Sequence, residues 1–240
     1  MSSTIRLYFP DKIQSDLSSH LPMEQTHYLK DVMRLKIGDK LSVFNTLGEW
    51  KAIIESYEKK GAKIKIMEKA RDKDNEKNIW LAFSPIKQNP LNFLIQKCTE
   101  LGVQRFVPIL SERTTVREIN IKRIKKIIIE ASEQSNRISI PEINKLEYLK
   151  NFLSKFPKNG CLIFCDINSD KDNLKKIFKK IFDGPICILI GPEGDFSENE
   201  RKIIIDHNQS CSISLAKNIL KVETAALSAI SIVNYHLNFS

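Results

Sequence analysis

No glycine-rich fingerprint of a nucleotide site occurs in this sequence. There is no G-x-G-x-x-G after the first strand of the α/β region and no G-x-x-x-x-G-K-[ST] anywhere. A dinucleotide dehydrogenase and a P-loop NTPase are therefore excluded as readings. The glycine-rich first turn of Rossmann-type methyltransferases is missing as well. No G-x-S-x-G is present, so an α/β-hydrolase would have no nucleophile elbow. Cysteines number five, without a C-x-x-C and without a histidine cluster, which leaves no framework for a metal site. Cys161 and Cys165 lie in Cys-Leu-Ile-Phe-Cys, a strand-like run that points both to one face. They read as a buried pair of small apolar residues rather than a disulfide. An odd cysteine count without a signal peptide points to the reducing cytoplasm. No apolar run approaches the length of a membrane span.

What is present is positive charge and two patterns of hydrophobicity. The chain has 240 residues, a net charge of +9 and a pI near 9.2. That balance favours a polyanionic partner, most simply nucleic acid, although surface charge alone gives the same count. Strands are predicted over 5–9, 40–44, 50–54 and 63–67, with a hairpin turn at 46–49 and one helix over 23–32. This describes a small β-barrel with a helix in residues 1–70. Residues 71–78 are charged, lack apolar side chains and read as a linker.

From 79 to 240 strands and helices alternate. Strands are predicted over 80–83, 106–110, 162–164, 186–190 and 212–215. Helices are predicted over 91–101, 121–135, 172–182, 198–207 and 224–237. Near-continuous apolar strands alternating with helices mean an α/β domain with a parallel sheet covered on both faces. Two loops stand out. Gly191-Pro192-Glu193-Gly194-Asp195-Phe196 follows a buried strand, and Ser197 with Glu200 then forms a capping box. Leu215-Ala216-Lys217-Asn218-Ile219-Leu220-Lys221-Val222-Glu223-Thr224 follows the next strand. Loops at the carboxyl ends of parallel strands hold ligands in open α/β sheets, and two so close in sequence suggest one shared pocket.

These residues resemble the ribosomal small-subunit RNA methyltransferase E family, the 16S rRNA (uracil-1498-N3)-methyltransferases of the SPOUT superfamily. The resemblance covers essentially the whole chain. It is carried by His27, Val32, Arg34, Gly38 and Asp39, by Gln96-Lys97-Cys98-Thr99-Glu100-Leu101-Gly102-Val103, by Glu112-Arg113-Thr114, and by Glu130-Ala131-Ser132-Glu133-Gln134-Ser135-Asn136-Arg137 followed by Pro141. The two loops complete it. Asp195, Ala216, Asn218 and Lys221 depart from the family's residues. Lys221 keeps the charge of an arginine but not its bidentate fork.

The resemblance implies a SPOUT-type parallel sheet with a deep trefoil knot, preceded by a PUA-like RNA-binding β-barrel. It implies S-adenosylmethionine as cofactor, held by Leu189, Gly191, Glu193, Gly194, Leu215, Ile219, Leu220 and Thr224. It implies methylation of uracil N3 at uridine 1498 in 16S rRNA of the small subunit, by a homodimer. Removing the N3 proton calls for an acceptor, and Glu193 and Glu223 are the carboxylates nearest the loops. Arg137 and Lys221 complete the catalytic candidates. Arg6, Arg34, Lys36, Arg113 and Arg137 are the candidate RNA contacts. A non-catalytic RNA-binding assembly factor and a ribose 2′-O-methyltransferase remain as alternatives at this point, and the general base is open. The small residues Ala225, Ala226, Ser228 and Ala229 suit either a subunit interface or packing on the chain's own sheet.

Overall fold

The computed structural model describes residues 5–73, 76–169 and 183–239. The helix expected over 172–182 lies outside the described residues. The chain divides into two units: one combines its beginning with Ser132–Ile140, and the other contains the rest.

The first unit is a five-stranded sheet in the order β1-β3-β4-β5-β2. Its strands are β1 (Arg6–Tyr8), β2 (Ser18–His20), β3 (Lys40–Asn45), β4 (Gly48–Glu58) and β5 (Gly61–Asp72). β1 runs parallel to β3, and the other pairs are antiparallel. Lysine alternates with isoleucine along β5, so Ile64 and Ile66 are fully buried beside Leu7, Val43, Ile54 and Leu29. The helix is α1 (Met23–His27), continued by a π-helical turn over Tyr28–Val32. Among the described residues β1 and β2 form the two ends of this ladder. One boundary changes. β5 continues to Asp72, inside the stretch read as a linker, because Arg71 and Asp72 still pair with Glu49 and Gly48 on β4.

The second unit is a parallel sheet in the order β12-β10-β11-β6-β7-β8, with β9 extending the edge along β7. Its strands are β6 (Ile79–Phe83), β7 (Arg105–Leu110), β8 (Glu142–Ile143), β9 (Glu147–Tyr148), β10 (Cys161–Cys165), β11 (Ile186–Ile190) and β12 (Ser210–Ile213). The described helices are α2 (Gln88–Glu100), α3 (Ile121–Gln134, counted with the first unit from Ser132 on), α4 (Leu149–Lys155), α5 (Glu198–Ile205) and α6 (Val222–Phe239). Leu162, Phe164, Cys187 and Leu189 pack under α4 and α5 with Phe152, Phe156, Phe196 and Ile204. The alternate residues of the same strands face the other side, where α6 packs on α2 and β11. Asn234 of α6 donates to the Leu101 carbonyl just past α2, at 2.6 Å. No helix among the described residues is long and apolar enough to cross a membrane.

Candidate active site

Because every strand of the second sheet runs the same way, its carboxyl ends share one edge. β12, β10 and β11 are neighbours, so the loops after them leave the same edge, those after β12 and β11 on either side of β10. The loop after β11 is fixed at both ends. Gly191 sits where an added Cβ would meet the Phe196 ring at 3.0 Å, tight enough that the ring would have to give. Ser197 then starts α5: its hydroxyl accepts from Glu200 N, and Glu200 Oε2 accepts from Ser197 N at 3.2 Å. This is the capping box read from the sequence. Glu200 is buried and does more than cap, since its Oε1 accepts from the Glu112 amide at 2.9 Å. Next to it, Arg113 donates to the Gly194 carbonyl at 2.9 Å. The Glu112-Arg113 run thus ties the loop after β7 to the loop after β11. Below it lies a chain of hydroxyls that sequence reasoning missed. Ser84 Oγ is 3.3 Å from Ser111 Oγ, which is 2.7 Å from Thr114 Oγ1, all three side chains buried. Ser84 and Ser111 lie just past the ends of β6 and β7 and Thr114 in the loop beyond, so only the pairing of those strands brings the three hydroxyls into contact.

Asp195, where the family has glycine, adopts the left-handed conformation at φ 59°. Its carboxylate accepts from the Phe196 amide at 2.7 Å. Aspartate and asparagine are among the few non-glycine residues that visit this region.

The loop after β10 is anchored by Asp166, which is buried. Asp166 Oδ2 accepts from Arg201 Nε at 3.0 Å and Nη2 at 2.7 Å. The pair braces the end of β10 to α5 and holds the Arg201 guanidinium above its ordinary pKa. The loop after β12 leads into α6, which begins at Val222, two residues before the expected start. Lys221 caps it through its carbonyl, which accepts from Ala225 N at 2.8 Å, while its side chain is exposed. Glu223 lies in the first turn, where a carboxylate complements the helix dipole. Leu215 and Leu220 are half-buried, Thr224, Glu193 and Gly194 are exposed, and Ile219 is 86% exposed. Leu189 is fully buried with its side chain in the core, under the loop rather than in it.

The RNA candidates separate into two groups. Arg34 and Lys36 are exposed, and neither enters an ion pair among the described residues. Arg34 follows the π-helical turn at φ 57°, a conformation that lifts it out of the helix path. Arg6 is a correction. Its side chain is buried in the first unit and its donors are used internally. Nε and Nη2 bond the Glu49 carboxylate, Nη1 bonds the Ser132 and Glu133 carbonyls, and Nη2 bonds the Arg137 carbonyl at 2.8 Å. A guanidinium so committed has no face left for phosphate. Arg71 donates to Glu49 at 2.7 Å and to the Asn136 carbonyl at 2.8 Å, so two arginines share one carboxylate. Arg137 also lies in this unit, 6% exposed, with Nη2 on Ser139 Oγ at 2.7 Å. The end of the matched run is thus tied to Arg6 and Arg71 through its backbone carbonyls, while Gln134 and Asn136 stay exposed.

An RNA methyltransferase domain family matches residues 73–234, and an RNA methyltransferase PUA domain family matches 21–67. The ribosomal RNA small subunit methyltransferase E of Rickettsia conorii is 32% identical over 229 residues, 94% of this chain and 93% of that one. The chain belongs to the ribosomal RNA small subunit methyltransferase E family. The Bacillus subtilis member is 26% identical, covering 88% of each chain. The crystal structure of the Neisseria gonorrhoeae member, bound to S-adenosyl methionine, superimposes with a TM-score of 0.88 at 29% identity, covering 99% of this chain and 100% of that one. A methyltransferase structure from Legionella pneumophila, in complex with the same cofactor, gives a TM-score of 0.84 at 29% identity. Family likeness thus runs through both units.

Proposed function

We propose that this chain transfers a methyl group from S-adenosylmethionine to N3 of a uracil, uridine 1498, in 16S rRNA of the small ribosomal subunit. The observation that carries the reading is the loop cluster at the carboxyl ends of β10, β11 and β12, in a chain alike over its whole length to relatives solved with that cofactor. The residues present fit the group. A Cβ placed on Gly194 would meet only Arg113, at 3.8 Å, so the loop is open there, and Ile219 offers a bare apolar side chain to an adenine ring. Gly191, Gly194, Leu215, Ile219, Leu220 and the backbone of Leu189 would hold it. When bound, it supplies an electrophilic methyl on a sulfonium.

The chain's own residues must then place the uracil edge and take its N3 proton. A uracil N3 is a poor nucleophile until that proton leaves, so an acceptor carboxylate is needed within hydrogen-bond reach. Glu193 on the β11 loop and Glu223 at the start of α6 are the two candidates, with Lys221 and Arg113 able to face charge developing on the uracil oxygens. Arg34 and Lys36 serve as phosphate contacts of the PUA-like unit. The return of α6 from the β12 edge onto α2 and β11 supports a trefoil knot. A homodimer would use the outward side of α6, with Ser231 and Tyr235 exposed.

The test incubates the protein with labelled S-adenosylmethionine and unmodified 30S particles, then digests the RNA to nucleosides. Label in N3-methyluridine is the expected result. Label in a 2′-O-methylated nucleoside would reassign the chemistry, and cofactor binding with no transfer to any RNA would make the chain an assembly factor.

A further inference from the structure

We propose that Cys161 and Cys211 form an oxidation site, a dithiol that closes to a disulfide in exchange with a small disulfide of the glutathione class. The sulfurs lie 3.8 Å apart on adjacent strands, Cys161 at the start of β10 and Cys211 on β12. Pairing of Ile163 with Cys211 puts Cys161 and Cys211 on the same face, so the side chains meet diagonally across the ladder. Closing the bond needs the sulfurs to approach by about 1.8 Å, since a disulfide spans about 2.0 Å. Diagonal partners on a ladder stand about 7–8 Å apart between Cα atoms, so the edge strand β12 must also shift toward Cys161 as the bond closes.

The two thiols are unequally placed. Cys211 is partly exposed on an edge strand, whereas Cys161 is 3% exposed. This order suits exchange: the outer thiolate reacts first and the inner thiol resolves. Cys211 thiolate attacks one sulfur of oxidised glutathione, forming a mixed disulfide and releasing one glutathione thiolate. Cys161 then loses its proton to solvent and attacks Cys211 Sγ, releasing the second glutathione. Two protein thiols are oxidised, one glutathione disulfide is reduced, and two glutathione thiols result. Competition from Cys98 and Cys187 is weak, because burial pushes both thiols far above the ordinary range and keeps them protonated. The consequence is local. β12 is four residues long, pairs on one side only among the described residues, and leads directly into the loop 214–221. A covalent tie to β10 fixes the position of that edge strand and restrains local opening there.

The folded full-length protein is incubated with oxidised glutathione, its free thiols are alkylated, and tryptic peptides are mapped by mass spectrometry. The expected product joins the peptide holding Cys161 to the peptide holding Cys211, with the loss of two hydrogen atoms. Fragmentation between Cys161 and Cys165 assigns the sulfur, and dithiothreitol reverses the link. Amides of Ser210–Ile213 should exchange hydrogen more slowly in the closed form. Cys211→Ser should leave Cys161 alkylatable, and if that variant does not fold, the wild-type map decides. A lasting glutathione adduct on Cys211 beside an open Cys161 would overturn the proposal. So would a link through Cys165 or Cys187, or thiols that stay reduced.

Discussion

Glu49 shows how a single side chain can outweigh a surface full of charge. Its side chain is 8% exposed and accepts from both Arg6 and Arg71. Burial alone would raise its pKa, but the two guanidinium groups win and hold it below the usual glutamate value. The carboxylate's contribution to stability is therefore complete above the unfolded pKa, near 4.5, and is lost as pH falls through the folded value. Replacing Glu49 with Gln leaves Arg6 without its counter-charge and should cost about 3 kcal/mol at neutral pH. Urea titrations of wild type and Glu49→Gln should converge as pH falls through the lowered folded value; a gap that stays constant would show that the ion pair is not its source. Asp195 tests backbone strain instead. Asp195→Gly should keep or raise stability, since glycine takes φ 59° freely, whereas Asp195→Ala should lose about 1 kcal/mol. Equal thermal midpoints for the two variants would contradict this.

Among the elements, the two helices flanking the loop cluster are the informative ones. Glu200 closes the capping box of α5 and also holds the Glu112 amide, so it has two tasks where Ser197 has one. Ser197→Ala should cost about 1 kcal/mol, the usual value of a cap. Glu200→Ala should cost more and should also weaken S-adenosylhomocysteine binding, because it frees the loop after β7 from α5. Calorimetry on both variants checks the order, and equal losses would mean that the Glu112 bond contributes nothing. On α6, Ala226 and Ala229 are fully buried within the chain itself, packing on its own sheet and α2. Ala229→Arg should consequently unfold the unit and cannot report on a dimer. Ser231→Arg and Tyr235→Arg, on the exposed side, are the substitutions that should produce folded monomers in sedimentation. A wild-type chain already monomeric at micromolar concentration would remove the basis for an interface there.

At the scale of the whole molecule, a charge of +9 is less evenly available than the count implies. Lys51, Lys63, Lys65 and Lys69 on β4 and β5 are paired with Glu68, Glu55, Asp16 and Asp72. Arg6 and Arg71 are committed to Glu49. Arg34 and Lys36 remain exposed after the π-helical turn, where RNA can reach them. If both contact phosphates, Arg34→Ala with Lys36→Ala should reduce the slope of log affinity against log salt by roughly 2. Cofactor affinity should be unchanged, because these residues belong to a different unit from the loop cluster. An unaltered slope would turn attention to Arg113 and the second unit.

The sequence by itself determined what local patterning can encode. Alternation of lysine and isoleucine predicted β5, continuous apolar runs predicted the parallel strands, and Ser197 with Glu200 predicted where α5 begins. The two loops after β11 and β12 were legible because glycine and capping residues act within a few positions of themselves. The short strands β2, β8 and β9 and the helix α4 were not, since so few residues carry no period. Only the tertiary structure decided which charges are free. Arg6 and Arg34 look alike as sequence, yet one is enclosed by Glu49 and three backbone carbonyls and the other faces water. The same holds for cysteine: the pair four residues apart drew attention, but the sulfurs that meet are fifty residues apart. Both outcomes have one physical cause. Ion pairs and thiol contacts depend on separations of a few ångströms, and strand order sets those distances without leaving a local trace in the chain.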